Sequence, residues 1–164
     1  MRNGRYIDDN GDVGWYLNNQ LHRESGPAVE LVNGTRKWYL HGQLHRDSGA
    51  AVVWGNGYRA WYLHGKRHGT TGPAVEYPNG DRVWFLNGER HRTNGPAVEN
   101  ANGTCRWFVN DQRHRTDGPA VEYPNGTCRW YLNDEHYTFA QWLGQIDCTP
   151  EIRTMLILKW GSHA

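Results

Sequence analysis

The chain has 164 residues and a formal net charge of +1 at pH 7, from 18 Lys and Arg against 17 Asp and Glu. That length bounds it to one domain, or one array with a cap, and the charge balance argues against a dedicated nucleic-acid binder and against an acidic nucleic-acid mimic. A mean hydropathy of −0.87 is low for an ordinary core, but nine Trp and nine Tyr compensate, because each buries about 150–250 Å².

Residues 1–20 are polar and contain no apolar run, so no signal peptide or membrane span is expected and the expected compartment is the cytoplasm. Three cysteines are too few for a disulfide framework. Cys105 and Cys128 hold equivalent positions in adjacent repeats, about 10 Å apart if each repeat is a hairpin, beyond the roughly 7 Å between Cα atoms that a disulfide spans. Free thiols are predicted.

Residues 1–9 read as half a repeat and a first edge strand, with Tyr6 and Ile7 standing where Val29 and Glu30 stand one period later. The period is 23 residues. It is carried by Trp15, Trp38, Trp61, Trp84, Trp107 and Trp130, by His22, His45, His68, His91 and His114, and by Asn-Gly pairs from Asn10-Gly11 to Asn125-Gly126. A fixed beat of this size marks a repeat array, in which each unit buries its apolar face only against its neighbours. Asn-Gly is the strongest short-range hairpin signal, so each unit is predicted to be two strands around a two-residue turn. That register sets Val32 opposite Thr35, Leu31 opposite Arg36, Glu30 opposite Lys37 and Val29 opposite Trp38. Val29, Leu31, Trp38 and Leu40 then share the core face, and Glu30, Lys37 and Tyr39 the polar one. It also sets Arg59 opposite Trp54 and Arg82 opposite Tyr77 as cation–π pairs. The HRxxGPA stretches turn the chain into the next hairpin.

The beat fails after Asn133. Thr138 and Gln141 form a capping-box pattern, Tyr137 and Trp142 a hydrophobic staple, and Thr149-Pro150 a second helix start. Ile152, Met155, Leu156 and Trp160 are predicted as the apolar face of that second helix, with Gly161 ending it. The expected fold is therefore an all-β repeat array: six antiparallel β-hairpins in one extended twisted sheet over residues 1–136, with a short two-helix C-terminal cap over 137–164.

The run WYLNG or WYLHG, then HR, then GPAVE, resembles the MORN (membrane occupation and recognition nexus) repeat over residues 10–133, and more closely a variant in proteins of tailed phages and giant viruses. MORN arrays are mostly scaffolds that bind proteins and sometimes anionic phospholipid. The resemblance thus implies a scaffold or inhibitor that handles a host protein. The chain departs from the usual MORN pattern by placing His-Arg where glycines are common.

Five regularly spaced histidines invite a metal reading, but equivalent atoms about 10 Å apart cannot share an ion whose ligands lie within about 2.1 Å of it. A backbone hydrogen bond or loop packing is the expected role, and no metal or cofactor is predicted. No nucleophile–base–orienter set and no phosphate loop stands out from the repeats, so no enzyme is predicted. Two binding surfaces are. Around Val53 the polar face loses its charges, and the expected register gathers Val53, Tyr58, Ala60, Tyr62 and Val83 into an exposed apolar patch for another protein or a second copy of the chain. The alternative is an anionic ligand, a phospholipid headgroup, nucleotide or nucleic acid, on a basic rim of Arg46, Lys66, Arg67, Arg90, Arg92, Arg113 and Arg115.

Overall fold

The computed structural model describes residues 1–163. It is an all-β repeat array of short antiparallel strands followed by two helices. Two compact units divide the chain, Met1–Gly88 and Glu89–Ala164.

In the first unit the strands pair in sequence order, from Gly4–Ile7 and Val13–Leu17 through Val29–Glu30, Arg36–Lys37, Val52–Val53, Arg59–Ala60 and Val75–Glu76 to Arg82–Val83. Each unit of 23 residues contains two tight turns, and the two differ in kind. At Asn-Gly the loop has three residues. Gly34 N–H donates to Leu31 O at 3.0 Å, Leu31 N–H to Thr35 O at 2.9 Å, and Asn33 Oδ1 accepts from Thr35 N–H at 3.0 Å. Gly34 alone takes a left-handed φ, +84°. This is a type I turn closed by a left-handed glycine. The two-residue turn with both central residues left-handed lies elsewhere, at His41-Gly42 (φ +49° and +75°), His64-Gly65, Asn87-Gly88, Asn110-Asp111 and Asn133-Asp134. It joins short hairpins such as Tyr39–Leu40 with Gln43–Leu44.

The extra loop residue moves the ladder by one position. Val29 faces Lys37 and Glu30 faces Arg36, so the pairing expected from a two-residue Asn-Gly turn is corrected throughout. A one-residue slip exchanges the faces of a strand. One row of the first unit becomes Gly14, Val29, Lys37, Val52, Ala60, Val75 and Val83. The other becomes Val13, Glu30, Arg36, Val53, Arg59, Glu76 and Arg82. Arg59 thus faces Val53 and Glu76, and Arg82 faces Glu76, rather than Trp54 and Tyr77.

The second unit repeats the pattern. Val98–Glu99, Cys105–Arg106, Val121–Glu122 and Cys128–Leu132 pair in order, and Glu135–Tyr137 closes the edge. Cys105 and Cys128 stand on either side of Glu122, and all three cysteines are free thiols. Helix α1, Phe139–Gln145, begins with the capping box of Thr138 and Gln141, and α2, Pro150–Trp160, with Thr149 as N-cap. Both pack on Trp130, whose ring lies 4.5 Å from Trp142, 4.9 Å from Phe139 and 5.9 Å from Trp160. The expected apolar face of α2 is half right. Leu156 is buried and Trp160 partly so, whereas Ile152 and Met155 face solvent at 47% and 68% exposure. Gly161 keeps an ordinary helical φ of −62° and leads into a single 3-10 turn.

Gly57 (φ +94°) has open space where a β-carbon would stand, with no atom within 4 Å, so a side chain there costs conformational energy only. Gly57→Ala is expected to lower the urea stability of the first unit by about 1–2 kcal/mol, with the fluorescence of the folded state unchanged.

Candidate functional site

Within each compact unit, successive repeats are fastened through backbone groups around the tryptophan. Trp15, Trp38 and Trp61 N–H donate to Ala28, Ala51 and Ala74 O, each at 2.8 Å, and Trp107 to Ala120 O at the same distance. Those alanines have no exposed surface. The HRxxGPA histidine adds a second tie. Nδ1 of His22, His45 and His68 accepts the N–H of the first residue of the following left-handed turn, at 3.1–3.3 Å, and Nδ1 of His91 and His114 stands against the same residue of theirs, 2.9 and 2.8 Å from the Asn110 and Asn133 side-chain amides. Used this way the imidazoles serve as structural hydrogen-bond partners. Among the described residues no group of three or more His, Cys, Asp or Glu is placed to hold a metal ion.

The arginine of the same motif is equally committed. The Arg23 guanidinium lies 3.8 Å from the Trp15 ring centroid, donates to Pro27 O at 3.1 Å and pairs with Glu30 at 3.2 Å. Arg115 repeats this on Trp107 (3.8 Å), Pro119 O (3.1 Å) and Glu122 (2.6 Å). Arg92 binds Pro96 O and Glu99, and Arg46 stacks on Trp38 and binds Ala50 O. The remaining rim cations are occupied in another way. Arg90 stacks on Phe108 and pairs with Asp111 at 2.6 Å, Arg113 on Tyr131 with Asp134 at 2.5 Å, and Arg67 Nε donates to Tyr62 Oη. Of the seven cations expected to present a basic rim, Lys66 is the exposed one. Two carboxylates also stand outward on these loops, Glu24 and Asp47, 84% and 89% exposed and 3.8 and 3.1 Å from the His22 and His45 imidazoles.

The expected apolar patch does not form as an exposed surface. Tyr58 is 8% exposed and Ala60 not at all. Both belong with Val52 and Val75 to the apolar cluster of the first unit, against which Tyr62 and Val83 pack. Val53 lies in the opposite row, between Arg36 and Arg59. Burial pushes the Tyr58 phenol above its ordinary value, partly offset by Arg67. The one-residue loop difference is the cause, since the assumed register placed Ala60 opposite Val53 instead of Val52.

Concave surface is found instead between successive HRxxGPA loops of the first unit. A groove of about 580 Å³ is floored by Trp38, Tyr39 and Leu40 and walled by the loops around Glu24 and Asp47. One period later an equivalent groove of about 410 Å³ is floored by Trp61, Tyr62 and Leu63. The charge of the loop residues does not reveal these grooves, because stacking withdraws the arginines from the rim. Compared with protein-family models and with curated proteins, the chain finds no match in either. Among the described residues no helix is long and apolar enough to cross a membrane.

Tyr58→Glu sets a carboxylate among Val52, Ala60 and Val75, and is expected to cost at least about 3 kcal/mol, read as a large fall in the thermal midpoint. A second test uses pH. The side-chain hydrogen bond from Arg113 holds the Asp134 carboxyl below its ordinary 3.8, outweighing burial, and at Asp111 the bonds from Arg90 outweigh a burial effect of opposite sign. A depressed carboxyl pKa stabilises fully above the unfolded value and loses that contribution as pH falls through the folded one. The double variant Asp111→Asn, Asp134→Asn should therefore be less stable at neutral pH, and should lose less further stability below about pH 4, in denaturant titrations across that range.

Proposed function

We propose that the chain is a non-catalytic protein-binding scaffold of MORN-like type, holding an extended segment of a partner along the grooves of its HRxxGPA loops. The observation that carries this reading is the recurrence of one aromatic-floored groove at equivalent positions of successive repeats. Two strand spacings advance about 9.6 Å, close to one turn of a polyproline-II segment, three residues at about 3.1 Å each, so consecutive grooves accept every third side chain of one such segment. The exposed carboxylates of Glu24 and Asp47 favour a basic segment. Inhibition of a host factor by a viral or phage-like protein is one use such a scaffold would serve.

The test is titration of extended peptides carrying a basic residue at every third position. Glu24→Lys with Asp47→Lys is expected to weaken binding at least roughly tenfold and to remove its salt sensitivity, with the circular-dichroism spectrum retained. If the unaltered chain binds polyphosphate or anionic vesicles and ignores such peptides, the proposal fails in favour of an anionic ligand.

A further inference from the structure

The repeats contain their own template for a site that one of them leaves open. In the first and fifth copies of the motif, the arginine that follows the histidine lies over a tryptophan, donates to a proline carbonyl and pairs with a glutamate: Arg23 on Trp15, Pro27 and Glu30, and Arg115 on Trp107, Pro119 and Glu122. Moving two periods on from Arg23, the same position is Gly69. Its three partners are retained as Trp61, Pro73 and Glu76, and all three line the 410 Å³ groove together with Gly69 and Asp47. Among the described residues no guanidinium lies over Trp61, in contrast to Trp15, Trp38 and Trp107.

We propose that this groove receives an arginine side chain from a partner polypeptide, its guanidinium stacked on Trp61 and hydrogen-bonded to the Glu76 carboxylate and the Pro73 carbonyl. This rests on the protein-binding reading above and names the side chain that the groove selects. Residue 69 cannot refill the place from within, because a β-carbon there would stand 2.4 Å from Gly72 O and 3.0 Å from Ala74 N. The local backbone is closed around glycine while the groove beside it stays open. Glu76 is available to a ligand. Its contact to Arg59 is loose, 3.9 Å between side chains that are both substantially exposed. The neighbouring Arg46 does not compete, since its guanidinium is held on Trp38 and Ala50 O. Asp47 at the mouth adds a second carboxylate and favours approach of a cation. A planar guanidinium suits the site better than an ammonium, because it can stack and donate in the ring plane at once.

The experiment follows the Trp61 indole N–H resonance, identified by its loss in Trp61→Phe, while a short arginine peptide is titrated into the full chain. Citrulline and lysine peptides of the same sequence, and ethylguanidine alone, are run beside it. The arginine peptide should shift the resonance and bind at least roughly tenfold more tightly than each of the other three. Glu76→Gln should weaken it by a similar factor and leave the citrulline peptide unaffected, a split that general misfolding would not produce. Equal binding of the citrulline or lysine peptide, or no response at Trp61, overturns the arginine site. Equal binding of ethylguanidine overturns its assignment to a polypeptide. If Trp61 is silent while Glu24 and Asp47 still govern peptide binding, only this inference falls. If both responses are absent, the scaffold reading falls with it.

Discussion

The bond on which the array depends runs from a tryptophan N–H to the carbonyl of the buried alanine that ends the HRxxGPA stretch following it, 2.8 Å in four separate repeats. Its constancy follows from steric necessity. The alanine has no exposed surface, so a larger side chain would hold the two segments apart and the bond would be lost. The rest of the motif is arranged around that junction. The guanidinium covers the outer face of the indole, the histidine fastens the next turn, and the glutamate neutralises the arginine. Strands of two residues are too short to be stable alone and persist through pairing with their neighbours and through these junctions.

Most of the polar side chains of the repeated motif are engaged in fastening the repeats. Glu30, Glu99 and Glu122 are satisfied by the motif arginines, and the histidine Nδ1 atoms by the following turn. What is left over is the space between loops and the residues that depart from the pattern. Val53 and Gly69 are linked departures. Where Val53 replaces the glutamate, Arg46 keeps its stack and its carbonyl without a carboxylate, and where Gly69 replaces the arginine, Glu76 turns to Arg59.

Local signals were read correctly from the residues, and signals that depend on a single-residue count were not. Thr138 with Gln141, and Thr149 with Pro150, specify helix starts within one turn, and both helices begin there. Asn-Gly is compatible with a two-residue loop and with a three-residue loop ending in a left-handed glycine, and the sequence of Asn33-Gly34 does not distinguish them. Every pairing downstream inherits that choice, which is why Val53 and Ala60 were assigned to one face. The true two-residue turn is spelled Asn-Gly only at Asn87-Gly88 and reads Asn-Asn, His-Gly or Asn-Asp in the other copies, so the regular Asn-Gly beat points to the other turn. The rim was misread for another reason. Composition counts arginines, but whether a guanidinium faces water or an indole is decided by packing. The exposure of Met155 is of the same kind, since heptad-like spacing marks a face without saying what lies opposite.

The direction of the histidine tie has its own consequence. Each imidazole reaches forward to the succeeding turn, so the two sides of a repeat are chemically different. An interior copy could be duplicated in the gene and would find its acceptor and its donor already in place. The final copy could not, because Tyr137 stands at its histidine position, and there the indole of Trp142, bonded to Arg115 O, packs against the last repeat. Within a compact unit, length can change by whole repeats.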